Sequence, residues 1–277
     1  MIRPVREGVE SAVVGDCPLC GATGVSLCDS HILPKWGYRR ARDETRANGS
    51  PDPILFRTGG AVQTSFQIKE YLLCDNCEQR LGRDEDYVSR LAYQENGTLG
   101  LIQQLKASAI LKREGAPAGS YLRSADVGHL DCGAISRFAA SVFWRAHVAK
   151  RERPASLKLW KPQSEALRQF VLAKSPLPRG MCLSLIVLVD GEDLTSVHSS
   201  TMTMPASGAK GDDSFHQFVV AGLLFHLTIG SFSSPGVCLV CGHRHVIFQN
   251  WKTVRVAMDF SKWAISRPLK GRLGKGR

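Results

Sequence analysis

Two C-x-x-C pairs, Cys17-Pro18-Leu19-Cys20 and Cys74-Asp75-Asn76-Cys77, constrain this chain more than any other feature. Each such turn aims two thiolates at one point, and two turns complete a tetrahedral shell of four sulfurs. That shell suits Zn²⁺ and leaves no open position for a substrate, so the expected role of Cys17, Cys20, Cys74 and Cys77 is a structural zinc site. Residues 21 to 73, between the pairs, exceed what a plain zinc ribbon requires, so further structure is inserted there. The chain has nine cysteines, an odd number, in 277 residues. A disulfide framework belongs to shorter secreted chains, whereas paired knuckles in a chain of this length point to metal binding in a reducing compartment.

A content of 43% hydrophobic and 22% charged residues excludes collagen-like, coiled-coil and wholly disordered architectures. The longest apolar run, residues 181 to 189, is far short of the roughly 20 residues that cross a bilayer. Residues 1 to 6 also lack the apolar core of a signal peptide, so a cytoplasmic protein with no membrane partner is expected. No internal repeat is present, which sets solenoids and propellers aside.

Residues 12–95 read as one metal-organised unit, 96–119 as a helix and linker, 120–261 as an α+β domain and 262–277 as a basic tail. Leu101, Ile102, Leu105, Ala109 and Leu111 give residues 98 to 114 a helical spacing, ended by Gly115-Ala116-Pro117-Ala118-Gly119. Residues 132 to 150 place Ile135, Phe138, Val142, Phe143 and Ala146 on one helical face, and a second helix over 164 to 173 has Ser164 as its cap. Residues 181–189 and 217–229 read as central strands, with a long polar connection over 196–214, and 245–249 and 253–258 add two more. An antiparallel sheet is expected for this second domain. His226, inside an apolar run, reads as a core histidine.

Between the knuckles lies Leu27-Cys28-Asp29-Ser30-His31-Ile32-Leu33-Pro34-Lys35-Trp36, then Gly59-Gly60, then Cys74 and Cys77 followed by Glu78-Gln79-Arg80-Leu81. In this order and spacing the sequence resembles the HNH family of ββα-metal nucleases, over roughly residues 14 to 90. The resemblance implies an N-terminal zinc-organised, treble-clef-like ββα-metal module, with a helix opening at the second knuckle. It implies that His31 is the general base that takes a proton from the attacking water, a task imidazole suits because it titrates close to neutrality. It places a catalytic Mg²⁺ or Mn²⁺ at Ser30 and Glu78, with Asp29 and the acids Asp84, Glu85 and Asp86 as further candidate ligands. Ser30 stands where the family has Asp or His, and Lys69 stands where it usually has Asn. Two readings therefore stay open: a metal-dependent DNA endonuclease of a divergent branch, in phage defence or a mobile element, and a catalytically degenerate zinc module that binds nucleic acid or a protein partner.

The net charge of +11 suits a polyanion partner, because Lys and Arg that neutralise phosphates release counterions. Lys35, Arg39, Arg40, Arg42 and Arg46, with Trp36 and Tyr38 interleaved, directly follow the His31 strand and suit phosphate contact and base stacking on DNA. The tail concentrates charge too, carrying Lys262, Arg267, Lys270, Arg272, Lys275 and Arg277 without an acid. Cys238, Cys241, His243 and His245 offer four ligands in so short a span that a tetrahedral shell would be strained, and the following Val246-Ile247-Phe248 favours a strand edge over a second zinc. The second domain's role is open to target recognition, homo-oligomer formation or binding of a protein partner.

Overall fold

The computed structural model describes residues 12–47, 54–57, 60–63, 66–92, 99–105, 110–112, 123–150, 157, 159–190, 197, 202–210, 213–230, 238–240 and 244–251. The basic tail, the 253–258 strand, the Gly115–Gly119 break, Cys241 and His243 lie outside the described residues. The architecture is α+β, with one antiparallel and one mixed sheet.

The antiparallel sheet has the order β1 (Val14–Gly15), β2 (Val25–His31), β5 (Lys69–Cys74). In the β2/β5 pair Leu27 faces Cys74 and His31 faces Lys69, with an irregularity at Cys28/Asp29. Helix α1 (Lys35–Ala47) follows β2 directly, and α2 (Asp75–Ala92) follows β5 without a linker, opening with Asp75 and Glu78 in its first turn, where acids suit the helix dipole. The second sheet has nine strands in the order β4 (Gly60–Gln63), β3 (Ile54–Arg57), β9 (Thr203–Lys210), β10 (Asp213–Val220), β11 (Leu223–Ile229), β8 (Met181–Val189), β12 (His245–Asn250), β7 (Arg123–Asp126), β6 (Ile110–Lys112). Its β12/β8 and β3/β9 pairs are parallel, so the sheet is mixed and not purely antiparallel. It also takes β3 and β4 from the insertion between the two knuckles.

The remaining helices are α3 (Gly100–Leu105), α4 (Cys132–Val148) and α5 (Lys161–Val171). The helix expected over 98–114 is shorter: α3 ends at Leu105, and Ile110–Lys112 is strand β6, because its apolar residues pair with β7. Residues 217–229 are two strands, joined by Ala221 and Gly222 at φ 50° and 79°, the two left-handed positions of a two-residue hairpin loop. The 196–214 connection contains β9, whose register against β10 sets Gly208 across from Phe215. Helix α5 starts three residues before Ser164, with Gln163 accepting from the Trp160 amide at 2.9 Å and Pro162 in the first turn, which needs no amide donor.

Helix α4 is the centre of the molecule. It is buried over most of its surface, its N-terminus is capped by Asp131 accepting from the Ala134 amide, and Phe138 and Phe143 meet Phe218 and Phe225 of the large sheet edge-on. A continuous apolar core runs from Cys17 and Leu19 of the first knuckle through Leu81 and Val88 of α2 to α4 and on to Phe248 of β12. The segment bearing the cysteine pairs and the large sheet thus both pack against α4, where Phe138 meets Trp36 of the one and Phe218 and Phe225 of the other.

Candidate functional site

The first knuckle is closed by backbone bonds: the Cys17 amide donates to Ala22 O and the Gly21 amide to Cys17 O, both at 2.8 Å. Gly21 turns the chain at φ 82°, a left-handed conformation that glycine adopts without steric cost. Cys74 ends β5 and Cys77 lies in the first turn of α2, so strand and helix together aim the second pair at the first. All four sulfurs lie within 4.8 Å of one another. Cys20 Sγ and Cys74 Sγ stand 3.8 Å apart. Zinc–sulfur bonds of about 2.3 Å set tetrahedral sulfurs about 3.8 Å from each other, so the spacing fits such an ion. Among the described residues this is the one cluster of His, Cys, Asp or Glu side chains close enough to hold a metal ion such as zinc.

The thiols respond unequally to their crowding. Burial pushes Cys17 up, but backbone amides at Cys20, Cys74 and Leu19 outweigh it and bring the thiol down to about 7. Burial, reinforced by the neighbouring thiols, pushes Cys77 up. Arg168 of α5 donates to the carbonyl of Leu19 at 2.6 Å and is held by Glu165, whose carboxyl that arginine lowers to about 2.

His31 closes β2, half-buried, with its Nε2 2.7 Å from Gln67 Oε1. Its carbonyl accepts from Arg145 Nη1 of α4 at 2.7 Å. Glu78, one residue past Cys77, has a buried Oε1 with no hydrogen-bond partner. One face of α2 carries Glu85 two turns further on, and burial raises its carboxyl while Arg145 pulls it down. The charges of Glu78 and His31 act on Glu85 in opposite senses, the first raising its carboxyl and the second lowering it.

Of the other candidate ligands, Ser30, Asp29 and Asp84 are engaged elsewhere. Ser30 is 2% exposed, and its hydroxyl donates to Cys28 O at 3.3 Å and accepts from the Leu73 amide at 3.2 Å. Asp29 forms an ion pair with Lys69. Asp84 is held by Arg137 through two bonds at 2.8 and 2.9 Å, and Asp86 is exposed.

On α1, Lys35 and Arg39 are exposed, while Arg40 and Arg42 are half-buried. Trp36 packs against Phe138, with ring centroids 6.3 Å apart. Tyr38 is buried, its hydroxyl accepting from the Ile68 amide at 3.0 Å. Lys35 and Arg39 thus face outward, whereas Arg40 and Arg42, one helical turn beyond Trp36 and Tyr38, share the faces of those aromatics. Cys238 is fully buried and His245 begins β12. Sequence reasoning missed Gln67 and Arg145, since neither belongs to a spacing pattern and only the fold brings them to His31.

No helix among the described residues is long and apolar enough to cross a membrane. Compared with protein-family models, curated proteins and solved structures, the chain matches none.

Proposed function

We propose that this chain is an HNH-like, metal-dependent endonuclease that hydrolyses phosphodiester bonds in DNA, with a structural Zn²⁺ on Cys17, Cys20, Cys74 and Cys77. The observation that carries this reading is Glu78 in the first turn of α2, whose buried carboxylate oxygen lacks a partner, in a unit where His31 ends β2. A hard divalent cation takes such an oxygen as a ligand. Bound Mg²⁺ or Mn²⁺ there stabilises negative charge on the phosphate and on the leaving oxygen.

A proton on His31 Nε2, donated to the Gln67 amide oxygen, leaves Nδ1 with the lone pair. Nδ1 then removes a proton from water as its oxygen attacks phosphorus, and the phosphorus–oxygen bond to the leaving sugar breaks, that oxygen taking a proton from solvent. The exposed Lys35 and Arg39 of α1, which starts four residues after His31, suit the backbone phosphates. The β2, β5 and α2 sequence with sulfurs from both knuckles is consistent with a treble-clef-like ββα-metal unit.

A second reading has its own support: Ser30 and Asp29 are spent on Leu73 and Lys69, which suits a module that keeps the zinc and binds DNA without cutting it. Incubation of the protein with supercoiled plasmid in Mg²⁺, Mn²⁺ or EDTA separates the two. Nicking that EDTA abolishes supports the enzyme, and plasmid binding without nicking in either metal supports the binding module.

A further inference from the structure

We propose that Arg145, on a helix outside the C-x-x-C segment, is a positioning residue of the site, fixing the end of β2 beneath His31 and tying it to Glu85 of α2. This rests on the nuclease reading and extends it to α4, which the motif does not contain. Arg145 is 2% exposed. Its Nη1 donates to His31 O at 2.7 Å. Its Nη2 stands 3.5 Å from Glu85 Oε2. One guanidinium therefore touches both the strand end that carries the base and the acid two turns along α2.

Packing does not account for an arginine here. A buried ion loses its hydration, and an apolar side chain of similar volume commonly serves stability as well or better. Arg145 is also under-used as a donor, since its Nε and Nη2 make no hydrogen bond. What the planar fork does provide is one arm bonded to the His31 carbonyl and a second charged arm held at a fixed angle to it toward Glu85, which a flexible ammonium reproduces only in part. The surrounding contacts make α4 a firm base for it. Arg137 binds Asp84 of α2, the Asp131 amide donates to the Tyr87 hydroxyl, and the Lys150 amide donates to Glu70 of β5. To these ties with α2 and β5 Arg145 adds a bond to His31 of β2 itself.

The test uses the full chain with Arg145→Met and Arg145→Lys. Zinc content and thermal midpoint report the fold, plasmid binding reports affinity, and single-turnover nicking in Mn²⁺ reports the chemistry. The His31 ring NMR signals, assigned by their loss in His31→Gln, report its placement. A displaced base costs about 10- to 100-fold in rate, so Arg145→Met should lose that much nicking while zinc and plasmid binding stay within about two-fold, and Arg145→Lys should recover part of it. The His31 signals should move in Arg145→Met and return part-way in Arg145→Lys. Should Arg145→Met fail to fold, Arg145→Lys decides: full-rate nicking with unmoved His31 signals overturns the proposal, and a slower rate with moved signals upholds it. If the wild type does not nick DNA, the nuclease reading fails by itself. The His31 signals then decide the positioning role alone.

Discussion

Ser30 and His31 are neighbours on β2, and side chains at successive positions of a strand leave opposite faces. Ser30 accordingly points into the β2/β5 junction, where it receives the Leu73 amide, while Asp29 shares the His31 side and is reached diagonally by Lys69. Replacing Ser30 by Asp therefore places a carboxylate in a buried backbone pocket. We expect Ser30→Asp to lower stability by about 1–3 kcal/mol, measured by urea unfolding, and to leave the Mn²⁺ requirement of nicking unchanged. A lower Mn²⁺ requirement would show that residue 30 turns toward the cation. The position of His31 in its block was legible in the sequence, but its hydrogen-bond partner was not, because Gln67 lies 36 residues away and is brought close only by the strand pairing.

At the scale of elements, α1 depends on a close approach. A Cβ on Gly37 would stand 2.5 Å from Val220 Cγ2 and 3.3 Å from Met202 Sδ. Alanine is the better helix former by about 1 kcal/mol, yet crowding a packed core costs about 1–3 kcal/mol, so the clash wins. Gly37→Ala should lower the thermal midpoint, and an unchanged or higher midpoint would mean that α1 stands further from β10. Elements of strong apolar periodicity were legible: α4, β8 and β12 form where their patterns place them. The β10/β11 hairpin was not, because Ala221 carries no turn signal and its left-handed conformation is imposed by the pairing on both sides. The strand at Ile110–Lys112 was hidden for a related reason, since two apolar residues, Ile110 and Leu111, next to a helix continue its period equally well.

For the molecule as a whole, the α+β class and the four-cysteine cluster could be read from spacing, whereas the joining of β3, β4 and β6 to the large sheet could not. Such pairings are set by contacts distant in sequence, for which local pattern carries no information. Two global predictions follow from the interior. Cys17, Cys74 and Cys77 of the sulfur cluster belong to the continuous core, and metal binding by thiolates is coupled to folding, so isolated protein should carry about one zinc per chain and Cys77→Ser should lose it together with solubility. Zinc-free, folded and soluble protein would contradict this.

On β10, where its ring meets Phe143 of α4, burial lowers His216 from 6.5 to about 4, with His226 and His147 adding to the effect. A base held neutral in the fold gives stability that is present above its unfolded value and is lost as pH falls toward the folded one. Stability should therefore decline between pH 6.5 and about 4, by at most roughly 3 kcal/mol from this residue. Urea midpoints that stay flat over that window would contradict the assignment.

The central claim is that His31 performs the proton transfer in a site organised by the two knuckles, and single-turnover nicking of supercoiled plasmid by His31→Ala in Mn²⁺ tests it most directly. The account predicts a rate lower than wild type by about 100-fold or more, with zinc content and plasmid binding retained. Nicking by His31→Ala at the wild-type rate would contradict it.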